Sequence, residues 1–216
     1  MVTDTAGQIE TPTPPRPVLR VITVVALALS LFQLYAAGVQ PLGLFYQRPI
    51  HLGFVLVLCF LIYPVFGHHR PRGALGWAID GALIACGVLV GFWVPWNIDT
   101  IANAIFPRDI DVAVGIVTTL VVLEAARRAV GLGMTIIGAV FLLYAFAGNR
   151  GELPFLSDWM PGILNHRGYS LDRVASQMTL GAEGIFGIPL GVAATFIFVF
   201  VLFGACLEVT GAGKFF

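Results

Sequence analysis

The most constraining feature of this sequence is a set of long apolar segments without charged side chains. One of them, Gly184–Leu207, contains neither an acidic nor a basic residue. An α-helix rises 1.5 Å per residue, so about 20 mainly apolar residues are enough to cross the hydrocarbon core of a bilayer. A soluble domain of this size has too small an interior to hide several such segments from water. The sequence therefore predicts an all-α integral membrane protein, a polytopic helical bundle.

Composition agrees with this interpretation and excludes other classes. Of the 216 residues 58% are hydrophobic and 11% are charged, whereas soluble domains carry about 25% charged residues. The formal net charge is zero, so no electrostatic field favours a nucleic-acid partner. Three cysteines lie inside apolar segments without metal-ligand spacing, and we expect neither a disulfide framework, nor a bound metal, nor a resident cofactor.

Six segments are candidate membrane spans. The first of them is interpreted as a retained helix rather than a signal peptide, because its apolar run is longer than the core of a signal peptide. They are Val18–Gly38, Ile50–Gly67, Leu75–Trp96, Ile110–Ala126, Ala129–Ala147 and Gly184–Leu207. Before them, residues 1–17 are polar and rich in proline, which predicts a disordered tail. Lysine and arginine are slightly more frequent on the side that includes this tail, so the N-terminus is predicted to be cytoplasmic.

The fourth segment is the weakest candidate. It is long enough only if Asp111 and Glu124 lie at the two membrane interfaces. Glu124 precedes Arg127 and Arg128 by three and four residues, so the three side chains can pair on one helical face. A structural charge cluster at a membrane boundary is preferred here over a functional charge relay.

Two further features concern the predicted outer side. Trp93 and Trp96 are expected to end the third helix in an aromatic belt. In the connection 148–183, Ser170 is a plausible N-cap. Apolar residues Leu171, Val174 and Met178 follow it at helical spacing, which predicts a short amphipathic surface helix.

No motif of an active site is present: the sequence lacks a nucleophile elbow, a zinc-protease helix and a nucleotide-binding loop. We therefore expect that the chain is not an enzyme and assign no catalytic residue. The residues alone leave open a transport role and a role as a membrane scaffold or assembly subunit.

Several segments nevertheless resemble one transporter family in the same order along the chain. They are Leu123–Gly131 (LEAARRAVG), His166–Ser170 (HRGYS), Glu183–Phe196 (EGIFGIPLGVAATF) and Phe203–Phe216 (FGACLEVTGAGKFF). Together they resemble the fused permease of tripartite ATP-independent periplasmic (TRAP) transporters, in particular the TAXI-type branch. The first 110 residues are similar to that family only in the number and spacing of helices.

This resemblance implies a domain organisation and a function. Residues 18–128 correspond to the small four-helix subunit, residues 129–183 to a linker helix with a periplasmic connection, and residues 184–216 to the start of the large transport subunit. The implied activity is uptake of a small organic solute, of carboxylate type, driven by a sodium gradient without ATP. The implied partners are a periplasmic solute-binding protein, the remainder of the large permease subunit and membrane lipid, in the inner membrane of a bacterium.

The resemblance also bears on site residues. The family's large subunit has further helices, so the chain is expected to be an N-terminal fragment, with the substrate and sodium ligands beyond Phe216. Three residues of the predicted periplasmic connection, Arg167, Tyr169 and Glu183, are candidates for docking the binding protein. The alternative function is a non-transporting scaffold subunit.

Overall fold

The computed structural model describes residues 16–66, 73–103, 106–148, 150–159 and 161–212, and every regular element in these ranges is helical. The predicted tail up to residue 15 and the connection 67–72 lie outside the described residues. The α-helices are α1 (Arg16–Gly38), α2 (Leu44–Ile62), α3 (Ala74–Asn103), α4 (Asp109–Ala129), α5 (Leu132–Phe146), α6 (Leu171–Thr179), α7 (Ile188–Val192) and α8 (Phe198–Val209). Two short 3₁₀ segments, Pro154–Trp159 and Gly162–Leu164, precede α6, and a π-helical segment, Ala193–Ile197, joins α7 to α8.

Four helices are long and apolar enough to cross a bilayer. They are Arg16–Gly38, Leu44–Ile62, Ala74–Ile101 and the continuous run Ile188–Val209. These coincide with four of the six predicted segments, and the all-α class is confirmed for the described part of the chain. The helix α5 is apolar but shorter, with 15 residues. The helix α4 is not among the four candidate spans because its ends carry charged residues.

Successive helices α1 to α5 run antiparallel. Gln33 near the end of α1 contacts His51 near the start of α2, and Asp80 near the start of α3 contacts Arg128 at the end of α4. Between α4 and α5 the chain reverses at Gly131, whose φ of 114° favours glycine. The bundle therefore has two well-defined ends.

Several helix boundaries differ from the predicted ones: α1 begins at Arg16, within the predicted tail, α2 ends at Ile62 rather than Gly67, and the start of α2 and the end of α3 are shifted most. The second helix begins at Leu44, not Ile50, because its first turns carry polar side chains that bond inside the bundle. The third helix does not end at Trp96 but continues through Pro95 to Asn103. A proline inside a helix removes one backbone hydrogen bond, and here the helix continues with an added bond from Asn97 Nδ2 to the Trp93 carbonyl at 3.1 Å.

The predicted surface helix is α6, and its apolar face packs against α4. Ser170 occupies the N-cap position but its hydroxyl makes no capping bond. Instead the carboxylate of Glu152 accepts the Leu171 N–H at 3.1 Å. The buried face consists of Val174, Ala175 and Thr179, whereas Leu171 is exposed. The buried face of α6 differs from the predicted one because Ala175 and Thr179 pack against a glycine of α4, Gly115.

The closest approach between long helices is the crossing of α2 and α3. A Cβ atom on Gly53 would lie 2.7 Å from the Gly91 Cα, and one on Gly87 would lie 3.1 Å from the Leu56 Cβ. Small residues at such positions let two helix backbones touch, which is a common device in membrane bundles. The buried core lies directly beside this contact and includes Leu52, Leu56, Phe60, Val90, Val94 and Val121.

This contact predicts an unequal response to two alanine substitutions. Gly53→Ala forces α2 and α3 apart, and overpacking of this kind costs about 1–3 kcal/mol. In Gly81→Ala, on the same helix pair, the added Cβ atom has no atom within 4 Å, and alanine has a higher helix propensity than glycine. Thermal unfolding of the purified protein in detergent is the measurement: Gly53→Ala lowers the midpoint and Gly81→Ala does not. Equal midpoints for the two variants would contradict the close approach.

Candidate functional site

Polar side chains are buried at both ends of the bundle, and they form three groups. The charged cluster consists of Asp80, Glu124, Arg127 and Arg128. At the opposite end, the Arg108 bridge consists of Trp93, Asn97, Arg108 and Asp111, and the amide cluster consists of Gln33, Gln47 and His51.

The charged cluster joins three helices through one guanidinium. Arg128 Nη1 donates to Asp80 Oδ1 at 2.6 Å, and Arg128 Nε donates to Glu124 Oε1 at 2.6 Å. Nη1 also reaches the carbonyl of Tyr63, just after α2, at 3.0 Å, and the guanidinium carbon lies 5.0 Å from the centre of the Phe60 ring. The side chains of Arg128 and Asp80 are 2% and 0% exposed, so this ion pair is shielded from solvent.

The pairing expected from spacing is present within this cluster. Arg127 binds both oxygens of Glu124, each at 2.8 Å, in a bidentate arrangement. Its side chain is 37% exposed, however, and the carboxylate of Asp80, 48 residues away along the chain from Arg128, lies deeper. Spacing along the chain did not indicate that Asp80 is a partner of Arg128. The cluster is built as a clamp: its contacts fix α2, α3 and α4 relative to one another.

The Arg108 bridge ties the opposite ends of α3 and α4. Arg108 lies just before α4, and its Nε and Nη2 donate to the two oxygens of Asp111 at 2.7 and 2.9 Å. The same carboxylate accepts from Trp93 Nε1 at 3.0 Å. The hydrogen bond from Arg108 to this carboxylate raises the pKa of Arg108 above its usual value, so the guanidinium stays charged. Asp111 was predicted to lie at a membrane interface, but its hydrogen bond with Trp93 was not predicted.

The amide cluster is the group that joins distant parts of the chain. Gln47 Nε2 donates to Gln33 Oε1 at 3.2 Å and to the carbonyl of Ala194 at 3.2 Å. Gln33 Nε2 in turn donates to His51 Nδ1. In this arrangement the Gln33 amide donates to the unprotonated Nδ1 of a neutral imidazole ring. All three side chains are buried.

The acceptor of this chain of bonds lies in irregular backbone. Ala194 belongs to the π-helical segment Ala193–Ile197, and the hydroxyl of Thr195 bonds back to the Gly191 carbonyl at 2.8 Å. A π-helical turn widens the helix and is found frequently at functional sites. The His51 ring lies edge-on to Phe198, with centroids 6.1 Å apart. The amide cluster and this segment together are the candidate functional site.

The docking candidates lie in the loops around α6. Arg167, Tyr169 and Glu183 are exposed. Arg167 and Tyr169 belong to a loop that folds back on the end of α5, since the Tyr169 N–H donates to the Ala145 carbonyl at 3.0 Å. Glu183 lies in the turn between α6 and α7, and no contact in the described part of the chain joins it to the other two. Their role in docking stays a prediction.

Within the described residues, no group of three or more His, Cys, Asp or Glu side chains is placed to hold a metal ion. Comparison with known proteins adds no identification, because no protein-family model, no curated protein and no solved structure matches this chain. The function of this chain is therefore inferred from its own residues.

The clamp geometry predicts that two neighbouring arginines differ sharply in their effect on stability. Arg128→Gln removes a buried cation from between Asp80 and Glu124, and breaking a buried pair costs about 3–5 kcal/mol. Arg127→Gln removes a half-exposed partner of Glu124, which costs about 0–1 kcal/mol. Unfolding by increasing denaturing detergent measures both. A loss for Arg127→Gln as large as that for Arg128→Gln would refute the assignment of Arg128 as the centre of the clamp.

Proposed function

We propose that this chain is the membrane permease component of a binding-protein-dependent secondary transporter of the TRAP type. It takes up a small organic solute, of carboxylate type, with a sodium gradient and without ATP. The observation that carries the proposal is the amide cluster bound to the π-helical segment within the apolar run Ile188–Val209. The family is inferred from the motifs that resemble the TRAP permease and that occur in the same order along the chain.

The energetic cost of the amide cluster supports this interpretation. Polar side chains buried among apolar helices are expensive unless they are hydrogen-bonded, and inside a bilayer they usually mark a transport path or a packing contact between helices. Irregular backbone at membrane depth is tolerated where protein surrounds it or where it lines a cavity. In secondary transporters, interrupted helices form the sites for solute and ion.

The remaining helices have the properties of a scaffold. The charged cluster and the Arg108 bridge fix α3 to α4 at both ends, and glycine contacts fix α2 to α3. Alternating access requires one rigid body against which another moves. We assign α1–α4 to the rigid body and Ile188–Val209 to the start of the moving one.

The six-span topology is part of the proposal, and the ends of α4 support it. Trp93 and Asp80 are about 20 Å apart along α3, and their partners Asp111 and Arg128 are about 25 Å apart along α4, at 1.5 Å per residue. The antiparallel packing of α4 against α3 over this distance supports a span by α4 alongside α3. The helix α5 is about 22 Å long and crosses with local thinning of the bilayer.

This topology predicts which positions share a side of the membrane. In a variant with the three native cysteines replaced by alanine, Gln40→Cys and Arg150→Cys react with an impermeant thiol reagent from one side. Gly73→Cys and Val130→Cys react from the other side only, since α4 and α5 each cross once. Labelling of right-side-out and inverted vesicles measures this. Val130→Cys reacting together with Gln40→Cys would show that α4 does not span.

The transport proposal predicts the energy source. In proteoliposomes that hold the complete permease implied by the resemblance, uptake requires both an inward sodium gradient and the periplasmic binding protein. Arg167→Glu, a charge reversal at a docking candidate, weakens uptake at limiting binding protein, whereas Arg150→Glu serves as the matched loop control. Uptake with ATP and no gradient would refute the mechanism, and normal uptake by Arg167→Glu would refute docking at this residue.

The alternative is a non-transporting scaffold or assembly subunit. The observation that favours it is the exposure of two apolar helices: none of the residues of α5 or α8 is buried in the described structure. Such faces are suited to lipid or to further helices. Co-purification with a separate large subunit, together with no uptake under the sodium gradient, would support the scaffold function.

A further inference from the structure

Arg48 differs from the arginines of the charged cluster and the Arg108 bridge because no carboxylate among the described residues pairs with it. It lies in the second turn of α2, and its Nη1 donates to the carbonyl of Phe186 at 2.7 Å. The ion pairs formed by the described residues involve Arg108, Arg127 and Arg128 but not Arg48. A half-buried guanidinium with donors to spare is suited to an anion.

The space beside Arg48 is amphipathic. A cleft of about 270 Å³ lies between the start of α2 and the run Ile188–Val209. Its polar lining comes from Arg48, Gln47 and Thr195, and its apolar walls include Ile188, Val192 and Phe196. Since Gln47 and Thr195 already donate to backbone carbonyls, Arg48 supplies the donors at the polar end.

A glycine makes this placement of the guanidinium possible. A Cβ atom on Gly191 would lie 2.6 Å from Arg48 Nη2, so any other residue there would displace the side chain. The guanidinium therefore lies directly on the backbone of α7, with the cleft beside it. Residue 191 is thus part of the wall that orients the cation.

We propose that this cleft binds one anionic phospholipid, with the phosphodiester at Arg48 and an acyl chain along Val192 and Phe196. Arg48 is about 6 Å from the start of α2 at Leu44, which is the depth of phospholipid headgroups when α2 spans. A soluble anion would make no use of the apolar walls, whereas Ile188 and Phe196 are 74% and 65% exposed beside the cleft. The proposal requires that α2 and Ile188–Val209 lie in a membrane, and it is independent of transport.

The test measures lipid retention by native mass spectrometry. The chain is purified in detergent, mixed with phosphatidylglycerol and washed, and the fraction that keeps one lipid is recorded. The expected result is retention by the unaltered chain and a loss of about tenfold in Arg48→Gln, because a charge-assisted hydrogen bond is removed. Arg150→Gln, an arginine of the exposed loop before α6, is the matched control and keeps the lipid. Undiminished retention by Arg48→Gln overturns the proposal.

A second variant covers the case in which Arg48→Gln does not fold. Val192→Trp fills the apolar part of the cleft and leaves Arg48 and its bond to Phe186 in place, so it also loses the lipid. Retention by this variant overturns the position of the acyl chain. Two further probes separate the sources of the anion: equal retention of phosphatidylcholine refutes the preference for an anionic lipid, and displacement of the lipid by inorganic phosphate alone refutes a lipid site.

Discussion

The hydrogen-bonding requirement of buried polar groups organises this structure more than any single helix does. The helices are apolar over most of their length, so each charged or amide side chain between them needs a hydrogen-bond partner, and several of these partners are supplied by another helix. Arg128 illustrates the consequence. Its guanidinium takes acceptors from α3, from α4 and from the residue after α2, and these bonds leave little freedom in how the three helices are arranged.

The helices themselves follow closely from the sequence, because length and apolar composition are local properties. The four helices that are long and apolar enough to cross a bilayer match predicted segments. The pairing of Glu124 with Arg127 and Arg128 lies within one helix, where spacing alone brings the side chains together. The helix boundaries were predicted less accurately. Leu44 and Asn103 extend helices into polar sequence. The polar side chains in the first turns of α2 bond to other elements, whereas α3 continues with a bond from Asn97 to the Trp93 carbonyl of the same helix.

Contacts between distant segments were not predictable from spacing. Gln47 and Ala194 are 147 residues apart, and nothing in a glutamine near a helix start indicates which carbonyl it will bind. The same is true of Asp80 and of Trp93. A polar residue inside an apolar segment, such as Asp80, does signal that a partner exists. The identity of the partner depended on the packing of α3 against α4.

The two fastened ends of α4 have a consequence for the biogenesis of the protein. With acidic residues at one end and arginines at the other, α4 is a poor substrate for insertion into a bilayer by itself, since each charge near the hydrocarbon core is costly. Asp80 and Trp93 on α3 offset that cost only when both helices are present. If α4 spans as the proposed topology requires, its charged ends are least costly when it enters the lipid together with α3, as one hairpin.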